Sequence, residues 1–342
     1  MGWERLKIRA PEFSQGTWLN SKPLRIGDLV RRGPVLVDFW DYTCVNCLRT
    51  LPYLLEWHER YSRDGLTIVG VHAPEFGFAH DPAVVAEAAA RLGIEYPILL
   101  DNNFALWSAY GNRAWPSKYL VDTQRIIRYS RVGEGRYGET ERAIQTLLRE
   151  QQPELELPEP LEPLRSTDVP GAVCYPTTPE LHAGYAHGRL GNTEGWFESG
   201  PGRYAQTSPA QRVEGHLYFE GGWQTFTEYS RAADEDSSVC VPYRAAEINA
   251  VLRAPTGLAV RVYLLQDGQP LDFDQIGEDV VKDSELGTYL TVAQPRMYNL
   301  VINPDFGDHT LCLHTTEAGL EVYSFTFVSC VVPDDDPVER TP

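Results

Sequence analysis

The amino-acid sequence predicts an α/β domain in residues 1–152 followed by an all-β sandwich in residues 171–342. In the first part, buried-strand patterns alternate with helical patterns, which is typical of α/β layer structures. In the last part, short alternating runs are separated by Gly, Pro, Asn and Asp turns, as in an antiparallel sandwich. Between them, residues 153–170 are rich in proline and glutamate, which is typical of a semi-extended linker. A chain of 342 residues is long enough to bury two cores.

Apolar periodicity assigns the elements of the first domain in order. A buried strand from Val35 to Phe39 precedes a helix that ends at Gly65. The next helix begins at Pro82 and ends at Gly93, in line with the preference for proline at a helix start and glycine after its end. The remaining predicted elements are strands at Leu66–Val71, Tyr96–Leu100, the run after Pro116 and Ile126–Val132, a short helix near Trp107, and an amphipathic helix at Glu139–Glu150.

Composition excludes several classes of protein. Hydrophobic residues make up 42% of the chain and charged residues 23%, which is typical of globular proteins. The net charge of −18 and the lack of a Lys/Arg cluster argue against a nucleic-acid partner. No apolar run reaches the roughly 18 to 20 residues needed to cross a bilayer, and residues 1–19 do not resemble a signal peptide. We therefore expect no membrane span and a cytoplasmic location for the chain as written; a trimmed N-terminus would also allow an exported form.

Two cysteines lie where a strand pattern changes to a helix pattern. Cys44 and Cys47 follow the strand from Val35 to Phe39 and precede apolar residues at helical spacing, so they should occupy the first turn of a helix. The unpaired N–H groups and partial positive charge of a helix start favour a thiolate. We therefore predict that Cys44 is the nucleophile. Cys47 is the predicted resolving cysteine, which attacks the mixed disulfide formed at Cys44 and releases the reduced partner.

The residues around this pair resemble a known family. The pattern consists of Asp38, Phe39, Trp40, Cys44, Cys47 and Pro52. It resembles the thioredoxin superfamily, and the string FWDYTCVNCLRTLPYL is similar to the TlpA and ResA group and to the soluble region of DipZ-type proteins. The resemblance implies a thioredoxin fold and an enzyme that exchanges protein thiols and disulfides with an unidentified electron donor. It also implies no cofactor beyond the redox-active disulfide Cys44–Cys47.

A metal site is the main alternative for a CxxC pair. Structural zinc sites need further Cys or His ligands at characteristic spacings. The sequence has no second CxxC, and neither His58 nor His72 lies at zinc-finger spacing. We therefore predict no metal.

Two carboxylates are candidates for proton transfer. The resemblance implies that Asp38 is the buried acid of thioredoxin, although on residue pattern alone it reads as a solvent-facing strand residue. Burial would raise the pKa of Asp38 and suit it to accept the proton of the resolving cysteine. Glu75 matches an acid that TlpA and ResA relatives place near the dithiol; the alternative is an exposed loop carboxylate.

The resemblance also implies a groove for an extended substrate peptide. Pro116 matches the cis-proline loop that packs against the cysteine pair, although the sequence leaves the isomer of its bond open. Its alternative is a strand-edge proline. Trp115 would then flank the groove, and Trp40, Tyr42 and Asn46 would line its exposed rim.

In the second domain we expect a jelly-roll or galactose-binding-like sandwich. DipZ-type proteins carry a similar domain that looks like a carbohydrate-binding module, which makes a carbohydrate a candidate ligand. Four aromatic residues could stack on sugars, although aromatic residues in a sandwich are usually core. They are Trp196, Tyr204, Trp223 and Tyr229.

Four further cysteines are widely spaced in the second half: Cys174, Cys240, Cys312 and Cys330. They could form two disulfides in three connectivities or remain buried thiols. Because residues 1–19 do not resemble a signal peptide, we expect reduced core thiols.

Two other functions compete with thiol–disulfide exchange. In the first, the β domain binds a glycan or a protein partner and the thioredoxin-like domain is an adaptor. In the second, the protein is a thiol peroxidase, since peroxiredoxins share the fold. Peroxiredoxins have Thr or Ser three residues before the reactive cysteine, and here Asp41 holds that place. The sequence therefore favours thiol–disulfide exchange over peroxidase activity.

Overall fold

The computed structural model describes residues 7–13, 16–169 and 171–331. Residues 1–6, 14–15 and 332–342 of the predicted domains and residue 170 of the predicted linker lie outside this description. The chain divides into two compact units, Met1–Leu164 and Arg165–Pro342. No helix among the described residues is long and apolar enough to cross a membrane. The cytoplasmic location stays a prediction.

The first unit is a six-stranded sheet with helices on its faces. The strand order is β1-β4-β3-β2-β5-β6, with β2, β3 and β4 parallel and the other pairings antiparallel. The predicted thioredoxin fold is therefore confirmed. The strands are β1 Trp18–Leu19, β2 Val35–Trp40, β3 Thr67–His72, β4 Ile98–Leu100, β5 Ser117–Val121 and β6 Ile127–Val132. The helices are α1 Ile26–Leu29, α2 Val45–Tyr61, α3 Pro82–Arg91, α4 Ala105–Ala109 and α5 Tyr137–Gln151.

Strand β2 lies at the centre of this sheet and is buried on both faces. Side chains alternate between the two faces of a strand. Val35, Val37 and Phe39 belong to one core cluster, whereas Leu36 and Trp40 belong to the cluster formed with α2. Asp38 lies between Leu36 and Trp40 in this alternation. Its side chain is therefore placed on the face that α2 covers.

The segment predicted as a linker begins by packing onto the first unit. We call residues 153–164 the strap. Three of its leucines pack against the core beneath α2 and α5: Leu155, Leu157 and Leu161. Glu141 Oε2 accepts from the Leu161 N–H at 2.8 Å, and Gln145 Nε2 donates to the Pro158 carbonyl at 2.8 Å. The proline- and glutamate-rich composition therefore predicts correctly that the strap contains no helix or strand. It does not predict that the strap packs onto the first unit.

The second unit is an antiparallel β structure. Ten strands form one sheet with the order β14-β15-β13-β16-β12-β10-β11-β17-β8, in which β9 pairs with β10 and β12 also pairs with β17. The two long strands β12 and β16 pair along most of their length and contain register shifts, which bend strands. This strand-rich architecture agrees with the predicted sandwich.

The strands of the second unit lie in the following order. They are β7 Val173–Cys174, β8 Leu181–His182, β9 Gly202–Tyr204, β10 Tyr218–Thr225, β11 Ser230–Ala232, β12 Ser237–Arg253, β13 Val260–Gln266, β14 Val281–Asp283, β15 Gly287–Val292, β16 Arg296–Thr315, β17 Glu321–Val328 and β18 Cys330–Val331.

Most of the four aromatic residues considered for sugar stacking pack in or against the core of the second unit. Tyr204 and Trp223 are buried in the core, and Trp196 is partly buried against it. Tyr229 is half-buried and packs on Phe226 at a ring distance of 4.6 Å. A carbohydrate ligand stays a prediction.

The four cysteines of the second unit form two disulfides, so the expectation of reduced thiols is wrong. Cys174 pairs with Cys330 and Cys240 with Cys312. In each case the two residues are direct partners on antiparallel strands, with Cα atoms 4.0 and 4.1 Å apart. Strand register thus brings together cysteines that are 156 and 72 residues apart in the chain. Their spacing carries no local signal of this pairing.

Glu141 of α5 connects the strap to α2, and its replacement tests this role. Its buried carboxylate accepts from the Tyr61 hydroxyl at 2.6 Å and from the Leu161 N–H at 2.8 Å. We expect Glu141→Ala to lower the free energy of unfolding by about 2 to 4 kcal/mol, since it leaves both donors without their acceptor. Urea denaturation measures the change. The half-exposed Glu139 of the same helix supplies the control, Glu139→Ala, and an equal loss in both variants would contradict the role of Glu141.

Candidate active site

The two cysteines occupy the start of α2, as the sequence predicts. Cys44 is the N-cap residue, and its Sγ accepts a hydrogen bond from the Cys47 N–H at 3.3 Å. Its carbonyl accepts from the Leu48 N–H at 3.1 Å. Both cysteines are free thiols in this structure; Cys44 is half-buried and Cys47 is buried. Cys44 is thus the more accessible of the two sulfurs, and its role as the nucleophile stays a prediction.

The buried Cys47 needs help to lose its proton. Burial raises the pKa of its thiol well above the ordinary 9.0, and the hydrogen bond and negative charge of Cys44 add to this shift. A thiol attacks a disulfide only as the thiolate. A proton acceptor near Cys47 would therefore increase the rate of the resolving step.

Asp38 provides a buried carboxylate on the face of the sheet that α2 covers. Its side chain is 1% exposed, and Oδ1 has no hydrogen-bond partner. Burial raises the pKa of Asp38 to about 7, and the positive charge of Lys118 opposes part of this rise. The negative charge of Asp38 also contributes to the raised pKa of Cys47, so the two groups interact. The burial expected for Asp38 is observed, and its role in proton transfer stays a prediction.

Asp41 organises the turn before the cysteines. Oδ1 accepts from the Thr43 N–H at 2.7 Å and the Thr43 hydroxyl at 2.8 Å, while Oδ2 accepts from the Glu75 N–H at 2.6 Å. The Asp41 carbonyl accepts from the Cys44 N–H at 3.3 Å. This buried side chain thus connects the turn at residues 41–44 to the loop after β3. Sequence reasoning missed it, although an Asp two residues before a Thr is typical of a side-chain-capped turn.

Trp40 and Tyr42 are buried, so the expectation that they line an exposed rim is wrong. Both rings pack against His72, with ring centroids 5.4 Å and 5.6 Å away. His72 is itself buried, and burial lowers its pKa while the nearby Asp41 opposes this shift. Neither ring nitrogen of His72 has a hydrogen-bond partner, and Nε2 lies 3.8 Å from Asp41 Oδ2. Asn46 is half-buried at the first turn of α2.

The proline loop contains the cis peptide bond that the resemblance implies. The Trp115–Pro116 peptide bond is cis, and Pro116 is buried. Trp115 is half-buried and packs on Trp107 at a ring distance of 4.5 Å. The Pro116 carbonyl accepts from the Gly133 N–H at 2.8 Å, which attaches the loop to the end of β6. Contacts of these residues with substrate stay predictions.

Glu75 is half-buried, and its backbone lies beside the turn that precedes Cys44. The bond from its N–H to Asp41 holds it there. A role for the Glu75 carboxylate in proton transfer stays a prediction.

Two family models and several known proteins match this chain. Residues 7–130 match the AhpC/TSA family, and residues 178–327 match the family described as Thioredoxin like C-terminal domain. The chain is 32% identical over 322 residues, 93% of its length, to Protein DipZ of Mycobacterium bovis. It spans 42% of that relative.

Similarity to smaller relatives decides the family. Thiol-disulfide oxidoreductase YkuV of Bacillus subtilis is 30% identical over 147 residues, which cover 43% of this chain and 98% of YkuV. The chain belongs to the thioredoxin-like thiol-disulfide oxidoreductases. Thiol-disulfide oxidoreductase ResA of Bacillus thuringiensis is 27% identical over 133 residues, which cover 38% of this chain and 73% of ResA. The AhpC/TSA match, residues 7–130, lies within the first unit.

The raised pKa of Asp38 predicts a pH-dependent stability for this oxidoreductase. The folded state keeps the Asp38 proton up to about pH 7, whereas the ordinary value is 3.8, so the folded state binds more protons in between. Stability should therefore fall as the pH rises through that interval. Asn cannot ionise, so at pH 8 we expect Asp38→Asn to be more stable than the wild type by up to about 4 kcal/mol.

Urea denaturation between pH 4 and 9 measures this effect. Near pH 4 the free energies of unfolding of Asp38→Asn and the wild type should agree. The exposed Asp28 gives the control variant Asp28→Asn, which should follow the wild type throughout. A constant difference between Asp38→Asn and the wild type at all pH values would contradict the assignment.

Removing the Asp41 carboxylate should loosen the turn before Cys44. We expect Asp41→Ala to lose about 2 to 4 kcal/mol of stability, because three buried or half-buried donors lose their acceptor. Hydrogen exchange should become faster in peptides that cover residues 41–48 and 73–76. Asp81→Ala, which removes the cap of α3, is the control, and it should affect only residues near that helix. Unchanged exchange in both peptides would refute the role of Asp41.

Proposed function

We propose that this protein exchanges the disulfide bonds of other proteins through Cys44 and Cys47. The observation that carries the proposal is the presence of three groups around the start of α2: a half-buried Cys44 at the N-cap, a buried Cys47 in the first turn, and a buried Asp38 on the sheet face that the helix covers. These groups provide an attacking sulfur, a second sulfur and a proton acceptor. They fit the family to which the chain belongs.

Reduction of a substrate begins at Cys44. Its thiolate attacks one sulfur of the substrate disulfide, so that a Cys44–substrate bond forms and the substrate S–S bond breaks. The first substrate sulfur leaves as a thiolate and takes a proton from water. Access to Cys44, which is greater than access to Cys47, determines that this cysteine attacks first.

Resolution then uses Cys47. The Cys47 thiol gives its proton to the Asp38 carboxylate, and the resulting thiolate attacks the Cys44 sulfur. The Cys44–Cys47 disulfide forms, the Cys44–substrate bond breaks, and the second substrate sulfur leaves with the electron pair. Two electrons have then passed from the dithiol to the substrate. A dithiol donor restores the enzyme by the same steps in reverse order.

The pKa of Asp38 suits this role. A general base works best when its pKa lies near the working pH, because it must be ionised before the transfer and still hold the proton afterwards. Burial raises the pKa of Asp38 to about 7, which meets both requirements near neutral pH. Protein disulfides are the proposed substrates, and the electron donor is proposed only as a dithiol.

Cysteine variants test the proposed function. With dithiothreitol as donor, we expect Cys44→Ser to reduce insulin at least about 100-fold more slowly than wild type, because the attacking sulfur is gone. Cys47→Ser should accumulate a mixed disulfide at Cys44, detectable by mass spectrometry after non-reducing digestion. A Cys174→Ser, Cys330→Ser double variant, which removes the disulfide between β7 and β18, is the control and should keep the wild-type rate.

Two results would contradict the proposal. One is insulin reduction by Cys44→Ser at the wild-type rate. The other is hydrogen peroxide consumption that exceeds disulfide reduction in the wild type, which would favour a thiol peroxidase.

A further inference from the structure

Strand β5 contains a fully buried lysine that thiol exchange as described above does not use. Lys118 has no exposed surface, and its Nζ has no hydrogen-bond partner. Lysine is almost never fully buried unless it is paired, because removing an ammonium group from water is energetically unfavourable. The position of Lys118 therefore needs a physical reason.

Register places Lys118 directly beside Asp38. The two residues are Cα partners on the antiparallel pair β2 and β5. Leu120 belongs to the core cluster beneath α2, and by the alternation of side chains Lys118 lies on the same face. Directly opposed residues of an antiparallel pair have Cβ atoms about 4.5 to 5.5 Å apart. The two side chains thus extend from paired positions onto the face that carries the cysteine helix, and Lys118 Nζ makes no hydrogen bond to Asp38.

The opposite neighbour of Asp38 carries no side chain. Gly70 is its partner on β3, and a Cβ atom there would lie 2.9 Å from Trp40 Nε1. Lys118 is therefore the cation in register with Asp38 among these three strands. On the far side of Lys118, its partner on β6 is Arg131.

The charges around Lys118 have opposing effects on it. Burial lowers the pKa of its ammonium group, while the negative charges of Asp38, Cys47 and Glu134 raise it and that of Arg131 lowers it further. In return, Lys118 lowers the pKa of Asp38. Asp38 and Lys118 thus each favour the charged form of the other. Tyr96, a further buried group whose pKa responds to Asp38, is a neutral phenol in this range, because burial raises its pKa well above 10.0.

We propose that Lys118 is a positioning residue that keeps Asp38 in the carboxylate form able to accept the proton of Cys47. This inference rests on the proposed function and adds a group to its second step. In that step the proton moves from the Cys47 thiol to Asp38, and Lys118 stays protonated before and after it. Without the ammonium group, a carboxyl in this apolar surrounding holds its own proton to a higher pH and cannot receive another.

The resolving step can be measured apart from the attacking step. Ellman's reagent reacts first at Cys44 and releases one thionitrobenzoate; Cys47 then displaces the second. Stopped-flow absorbance between pH 5 and 10 gives a rate for each release. Lys118→Met keeps a side chain of similar length but no charge, and the exposed Lys22 supplies the control variant Lys22→Met.

We expect Lys118→Met to shift the acidic midpoint of the second release upward by about 1 to 3 pH units, the usual effect of one nearby opposite charge. A shift of one unit from a midpoint near 7 corresponds to a rate about fivefold lower at pH 7. The first release should stay within about twofold of the wild type, and Lys22→Met should match the wild type in both. In an Asp38→Asn background, Lys118→Met should produce no further shift, because the group it acts on is absent.

A second measurement does not depend on activity. The pH-dependent fall in stability expected for the wild type up to about pH 7 should continue to higher pH in Lys118→Met and in a second neutral variant, Lys118→Gln. A second-release midpoint equal to that of wild type, together with an unchanged stability profile, would overturn the role of Lys118. Absence of the first release in the wild type would instead overturn the proposed function.

Discussion

The burial of strand β2 on both faces is the constraint on which the active site depends. Neighbouring strands bond to both of its edges, and core clusters cover both of its faces, so any polar side chain on it loses its water. Asp38 is that polar side chain. Its raised pKa follows from this burial, and its place beneath α2 follows from the alternation of side chains along the strand. The chemistry assigned to the site is therefore a property of a central strand with one acid on its helix side.

The same constraint explains why some site residues were predictable and others were not. Cys44 and Cys47 lie within a local change from strand pattern to helix pattern, and Asp38 interrupts an apolar run. Both signals are contained in about ten neighbouring residues. Lys118 becomes significant only through its register with Asp38, which is eighty residues earlier in the chain. Nothing in the sequence around Lys118 indicates that the strand pairing will bury it next to a carboxylate.

The predictions that the structure contradicts failed for a similar reason, because they depend on contacts between elements that are distant in the sequence. The two disulfides depend on cross-strand register in the second unit, so widely spaced cysteines gave no local evidence of pairing. The resemblance implied that Trp40 and Tyr42 line the exposed rim of a substrate groove. They are buried because His72, at the end of the adjacent strand, supplies a surface against which both rings pack. The local hydrophobic pattern of the sequence determines the order of helices and strands. The disulfides and the ring contacts depend instead on how those elements are arranged in the fold.

The strap is synthesised after the elements that it packs against. Translation proceeds from the N-terminus, so the cysteine turn, α2 and α5 all leave the ribosome before residues 153–164. A nascent chain that ends at residue 152 lacks the leucines that cover the core beneath α2 and the backbone groups that bond to Glu141 and Gln145. Both thiols of the cysteine pair are therefore synthesised before the helix that carries them has acquired all of its packing. During that interval, the dithiol belongs to a domain whose core is still partly uncovered.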